Sequence, residues 1–105
     1  MAERRIVWAP EARWQINEIF RYYNNRNKSK RYSRKLRNLL QENIRLLQKQ
    51  PYIGKRLSDN YRVLFVAYYH LFYEATEEFL YIYDIWDGRR NPETIKYYKR
   101  NPDAP

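Results

Sequence analysis

The sequence predicts an α+β fold: an N-terminal strand, a helical hairpin, and then an antiparallel three-stranded meander forming one small sheet. Three observations carry that reading. Two stretches, one opening at Ala9-Pro10-Glu11, place apolar residues at helical spacing. Three later stretches alternate apolar and polar residues with period two, and the links between them are too short for anything but antiparallel pairing. At 105 residues there is room for one core and no second domain, so residues 1–105 are read as a single domain.

The elements follow in order. Arg4 to Trp8 is short and β-prone and reads as a strand. Pro10 at a first helical position gives up no needed hydrogen bond, and Glu11 suits the positive end of the helix dipole. The stripe Ala12, Ile16, Ile19, Phe20 and Tyr23 marks the inner face of that helix, and Asn24-Asn25-Arg26-Asn27 is expected to break it. A second helix is expected from about Ser29 to Gln50, with Tyr32, Leu36, Leu39, Leu40, Ile44 and Leu47 facing inward. Pro51 ends it, and Gly54 allows the turn that follows. The strands are Tyr61–Val66, Tyr69–Glu74 and Phe79–Trp86, linked around Ala67-Tyr68 and Ala75-Thr76-Glu77-Glu78. The end of the chain, residues 93–105, is expected to fray. Two amphipathic helices need one apolar sheet face, which leaves the other face available for function.

Composition narrows the partners. The chain carries 21 Lys+Arg against 12 Asp+Glu, a formal net charge of +9, which favours nucleic acid, the ribosome or an acidic protein. The alternative is a generically basic surface. Apolar residues at 44% and aromatics at 18% describe a folding sequence, not a disordered basic tail. The absence of cysteine excludes disulfides and thiolate metal sites. No apolar run approaches the ~20 residues of a membrane span, and the first residues lack the apolar stretch of a signal peptide, so the cytoplasm is the expected compartment.

Four constellations are candidates for chemistry. Arg21 to Arg37 holds eight basic residues and no acid. Among them Lys28, Lys30, Arg31, Arg34 and Lys35 are candidates to contact a nucleic-acid or ribosomal backbone, the alternative being a solvated helix face. The second set surrounds the sheet: Lys55 and Arg56 before it, Arg62 in its first strand, Arg89 and Arg90 after its last. The guanidinium fork matches phosphate oxygens, and several converging on one groove would stabilise charge developing on phosphorus. Arg62 has the alternative of pairing with Asp84 or Asp87. His70, alone of its type, is the natural acid or base, yet one histidine in an aromatic strand is more often a packed residue. Last, the tyrosines offer stacking surfaces for bases, and Tyr97 and Tyr98, beyond the sheet, are less committed to packing than the strand tyrosines. No Gly-rich phosphate loop, catalytic triad order or metal-ligand cluster is present, so neither a cofactor nor a metal is expected.

Taken in order, these residues resemble the RelE/ParE superfamily of bacterial toxins from type II toxin–antitoxin systems. The resemblance runs from Val7 to about Pro92. It includes Trp8-Ala9-Pro10-Glu11-Ala12, then Ile16, Ile19 and Tyr23, then Leu47 through Pro51-Tyr52-Ile53-Gly54. Tyr61-Arg62-Val63-Leu64, Leu71-Phe72-Tyr73, Tyr81 through Asp87 and Arg89-Arg90-Asn91-Pro92 complete it. The resemblance implies a helical hairpin packed on an antiparallel sheet that the N-terminal strand joins, and an acidic antitoxin as partner. It implies one of two activities. RelE-like members cleave mRNA in the ribosomal A site; ParE-like members are not nucleases and poison DNA gyrase. The expectation leans to a metal-independent mRNA-cleaving endoribonuclease acting on the ribosome. Arg62, Arg89, Tyr97 and Tyr98 would then be catalytic, and Lys55, Arg56 and Arg90 would bind substrate. The histidine that some ribonuclease members carry near the C-terminus is missing: Trp86-Asp87 stands in that region. The alternatives are a gyrase inhibitor, which the long basic hairpin equally suits, and a non-catalytic basic binding module.

Overall fold

A computed structural model describes residues 3–89. Arg90, Tyr97, Tyr98 and the expected frayed end lie outside the described residues. Strand β1 (Arg5–Trp8) leads into α1 (Pro10–Asn27), α2 (Arg31–Lys49) and a short 3₁₀ turn (Pro51–Ile53), followed by β2 (Lys55–Ser58), β3 (Tyr61–Val66), β4 (Tyr69–Ala75) and β5 (Phe79–Asp87). The sheet has five strands in the order β1-β5-β4-β3-β2. The expected class is correct, and the sheet is larger than the three-stranded meander expected. Lys55 and Arg56 do not precede the sheet but form its fourth antiparallel strand, and β1 adds parallel to β5.

Both helices cover one face. Ala12, Ile16, Ile19 and Tyr23 of α1 and Leu36, Leu40, Ile44 and Leu47 of α2 meet Val66, Tyr69, Leu71, Tyr73, Leu80, Ile82 and Ile85 of the sheet. Removing that apolar surface from water is the main stabilising term. One inward assignment differs in the structure. Leu39 is exposed, because a position next to Leu40 turns off the inner stripe. Phe20 packs against the core as expected, half-buried, with the Arg37 guanidinium 5.1 Å above its ring. The asparagine run does not break α1. The helix continues to Asn27 and is closed by Lys28, whose left-handed φ of 54° lets its N–H donate to the Asn24 carbonyl. Asn24 is also useful inside the hairpin, since its Oδ1 accepts from Ser33 Oγ at 2.6 Å.

At the other end, Arg4 donates to the Thr76 and Gln48 carbonyls and Gln48 Nε2 donates back to Arg4 O at 2.6 Å, tying the first strand to α2. The β4–β5 ladder slips by one residue: Phe72 faces Asp84, but Tyr73 faces Ile82. Gln15 of α1 satisfies the slipped backbone by accepting from Ile85 N at 2.8 Å and donating to Asp84 Oδ1 at 3.2 Å.

The face away from the helices is not bare. Tyr61, Val63 and Phe65 of β3 and His70, Phe72 and Glu74 of β4 share it by alternation and register. Rings cover it in a chain: Tyr61 against Phe72 and Tyr83, Tyr83 against Tyr81, and Phe72 against Trp86. Beneath them Val63 is fully buried, and Phe72 is itself almost wholly covered by its neighbours. The tyrosine-rich composition thus supplies a second, thinner apolar layer on the side where no helix of the described residues packs.

Candidate functional site

Arg62 and Arg89 do not share a groove. Strands β3 and β5 are both antiparallel to β4 and therefore run in the same direction. The start of β3 and the end of β5 then lie at opposite ends of the sheet. Arg62 pairs across to Tyr73, while Asp87 pairs across to Tyr69, four residues away on β4 and about 13 Å at ~3.3 Å per residue. The convergence expected for the arginines around the sheet is therefore not met by this pair, because in a meander the start of one strand and the end of the strand two places on lie at opposite ends.

Each arginine has its own setting. Arg62 Nη1 donates to the carbonyls of Gly54 at 2.9 Å and Tyr52 at 3.3 Å, and its guanidinium lies 5.1 Å from the centre of the Tyr52 ring. Neither Asp84 nor Asp87 is its partner in these bonds. The Gly54 corner is also held by Tyr73, whose hydroxyl donates to Pro51 O at 2.6 Å and accepts from Gly54 N at 3.0 Å. Arg62 therefore staples the turn that delivers Lys55 and Arg56 into β2. Lys55 and Arg56 are exposed on that edge strand, where Arg56 Nε donates to Asp59 O at 2.9 Å.

Arg89 sits in a cluster that the sequence did not reveal. Its Nη2 donates to the hydroxyls of Tyr32 at 2.6 Å, Tyr23 at 3.0 Å and Tyr69 at 3.3 Å. Its carbon Cζ lies 4.5 Å from the Tyr68 ring centre. The Tyr23 hydroxyl in turn donates to Asp87 Oδ2 at 2.7 Å, and Asp87 Oδ1 accepts from the Arg89 backbone N–H at 3.0 Å. Asp87 is 0% exposed and Arg89 Nε is 3.8 Å from it, so the ion pair is linked mainly through a phenol. The hydroxyls of Tyr32 and Tyr69 are 2.6 Å apart. Burial raises the proton affinity of the Tyr69 phenol, the hydrogen bond to Tyr32 adds to that, and Tyr23 is raised by burial and by its bond to Asp87. Chemically the cluster fixes a cation and the exit of β5 against the helical hairpin. Tyr23 and Tyr32 were readable only as inward-facing helix positions. The one signal available was that a buried tyrosine hydroxyl needs a partner.

His70 is half-buried, with its ring edge-on to Phe65 at 4.9 Å. Burial holds its pKa below the ordinary 6.5, the Asp87 charge opposing that shift. Asp84 is pushed up by burial, offset by its bond to Gln15.

Arg26 aside, the hairpin cations divide into two sets. Arg21 bonds Glu18 at 2.8 Å and Arg37 stacks on Phe20, so both are engaged along the helices. Lys28, Lys30, Arg31, Arg34 and Lys35 gather at the hairpin tip and pair with no carboxylate among the described residues. Two shallow depressions meet there, of about 500 Å³ and 510 Å³, and both are lined by Ser29, Arg31 and Lys35. No helix among the described residues is long and apolar enough to cross a membrane.

No curated protein matches this sequence. Among solved structures, a chain titled "Chromosomal ParDE TA system from P. aeruginosa" superimposes with a TM-score of 0.64 at 16% identity. The superposition covers 79% of this chain and 94% of that one, and it bears on the fold alone. The family described as "ParE toxin of type II toxin-antitoxin system, parDE" matches residues 6–92, from β1 through the Arg89 cluster and beyond. With most of its length inside that match, the chain belongs to the ParE toxin family of type II toxin–antitoxin systems.

Proposed function

We propose that this toxin acts on DNA gyrase and does not cleave mRNA. The observation that carries this reading is the separation of Arg62 from Arg89. Stabilising a dissociating phosphate requires donors on the same group of oxygens, within hydrogen-bond reach. Two arginines whose backbone rows lie about 13 Å apart along the strands, one stapled to backbone carbonyls and the other held by tyrosine hydroxyls, suit structural duty better. The resemblance to ParE-like toxins, which poison gyrase, favours the same target. A protein target is engaged by surface, and the hairpin tip presents five cations that pair with no carboxylate among the described residues. The partner that neutralises the toxin is a cognate antitoxin, and a net charge of +9 suits an acidic one.

The test compares two assays on one preparation. Purified gyrase supercoiling a relaxed plasmid, with no ribosome present, should be inhibited by the toxin. Translating ribosomes carrying a defined message should leave that message intact. Cleaved message with normal supercoiling at saturating toxin would reverse the assignment. The variant Arg62→Ala should keep gyrase inhibition in proportion to its folded fraction.

A further inference from the structure

We infer that the hairpin tip is a docking site for the phosphate backbone of duplex DNA. The inference goes beyond the choice of target, because it concerns what the isolated chain binds. Its basis is the division of the hairpin cations into engaged and presented sets. Arg21 and Arg37 have partners on the helices, whereas Arg31, Arg34 and Lys35 recur at i, i+3 and i+4 on the first turns of α2. With Lys28 and Lys30 at the turn, five cations are gathered within two helical turns, roughly 10 Å of axis. No acidic residue occurs on α2 before Glu42, so no neighbour on these turns of the helix offsets their field.

The shape fits a duplex. Arg31 and Lys35 line both shallow depressions at the tip, and the outer face of a helix of about 10–12 Å diameter is of a size with the ~12 Å major groove, whose rims are phosphate. Single-strand binding works through open aromatic planes on which bases stack. The tip has one ring, Tyr32, and it is already engaged: the Tyr23 ring centre is 4.5 Å away and Arg89 holds its hydroxyl. What remains are point charges and the amide side chains of Asn27 and Asn38, which contact a backbone and read little sequence.

Counterion release makes the site measurable. Five neutralised phosphates correspond to a slope near −4.5 in log K against log salt, at about −0.9 per contact. The full-length toxin is titrated into a labelled 20-bp duplex by fluorescence anisotropy across a salt series. Arg31→Gln and Lys35→Gln should each weaken binding severalfold and flatten the slope by about 0.9. Arg21→Gln and Arg37→Gln remove the same charge from engaged positions and should leave the slope unchanged. Far-UV circular dichroism confirms that all four fold. The inference is overturned if the duplex does not bind at low salt, or if the two pairs of variants behave alike, which would mean diffuse attraction. Equal affinity for single-stranded RNA or polyglutamate of matched charge would also overturn it. Gyrase inhibition is scored separately on the same variants. Loss of duplex binding with supercoiling inhibition retained would break this inference and leave the proposed target standing; the converse would break only the target.

Discussion

Replacing Gly54 by alanine tests whether the turn before β2 is built around Tyr73. An added Cβ would collide with Tyr73 Oη and lie 2.7 Å from Cε1 and 2.9 Å from Cζ. Carbon atoms prefer about 3.5–4.0 Å, so the ring must retreat by roughly 0.7 Å or more. It has little room: Tyr73 is 0% exposed, and its hydroxyl is bonded to both Pro51 O and Gly54 N. Overpacking of this kind costs about 1–3 kcal/mol. Tyr73→Phe removes the collision at the oxygen but leaves a buried N–H and a buried carbonyl without that partner, at about 2 kcal/mol. The phenyl ring, released from both bonds, can give way to the alanine. The double variant should therefore cost less than the sum of the singles, with a coupling of about 1 kcal/mol. Urea unfolding followed by circular dichroism measures all four corners of the cycle, and the singles should also melt roughly 4–8 °C lower per kcal/mol lost. A Gly54→Ala protein within about 0.5 kcal/mol of the parent, or strictly additive singles, would refute the packing assigned to this corner.

Other expectations follow from the same contacts. Tyr23→Phe strips the fully buried Asp87 of a 2.7 Å hydroxyl donor and should destabilise by about 1.5–3 kcal/mol in urea unfolding. Lys28→Gly relieves a left-handed φ of 54° and should stabilise by up to ~1 kcal/mol, read as a higher urea midpoint, while deleting one tip charge. Stability should fall as pH climbs past 10.0, where the unfolded chain begins to lose phenolic protons that folded Tyr23, Tyr69, Tyr73 and Tyr83 retain. Because the folded state binds more protons there, this stability is complete below that pH, and Tyr73→Phe should shallow the alkaline decline in a pH series of urea midpoints. His70 works in the opposite sense: its folded pKa is lowered, so its share is complete above 6.5 and fades as pH drops below it, a limb that His70→Gln should remove.

Much of the fold could be read locally. Pro10 and Pro51 punctuate α1 and α2 because a proline lacks the N–H that a helix interior uses. Strand β3 runs over the residues expected, since its alternation is unbroken and its links are tight. The errors arise where a tertiary contact overrides the local signal. Asn24 is a poor helix former, yet its carbonyl receives the Lys28 cap and its side chain receives Ser33. Strand β2 is four residues of Lys-Arg-Leu-Ser, with no alternation to announce it, and exists because β3 offers an open edge. The slip between Phe72 and Tyr73 has no sequence mark, because Gln15, which satisfies it, is about seventy residues distant in the chain.

The candidate site was legible in composition and illegible in geometry, and the two arginines show why. Sequence spacing told correctly that Arg62 opens one strand and Arg89 follows another, but the sense of β5 relative to β3 decides whether those positions meet. Two antiparallel pairings in succession restore the direction, so they end up on different edges of the molecule. The same rule gives Arg89 its role. Leaving β5 at the end nearest the hairpin turn, it reaches Tyr23 on α1 and Tyr32 on the first turn of α2. The guanidinium thereby fastens the sheet to the base of the tip that carries Lys28 through Lys35. Arg89→Ala should then loosen the hairpin without touching the tip cations. Amide exchange should quicken at α2's first turns, and duplex affinity should fall with its salt slope unchanged, since the number of phosphate contacts is the same. A changed slope would mean that Arg89 contacts the ligand itself.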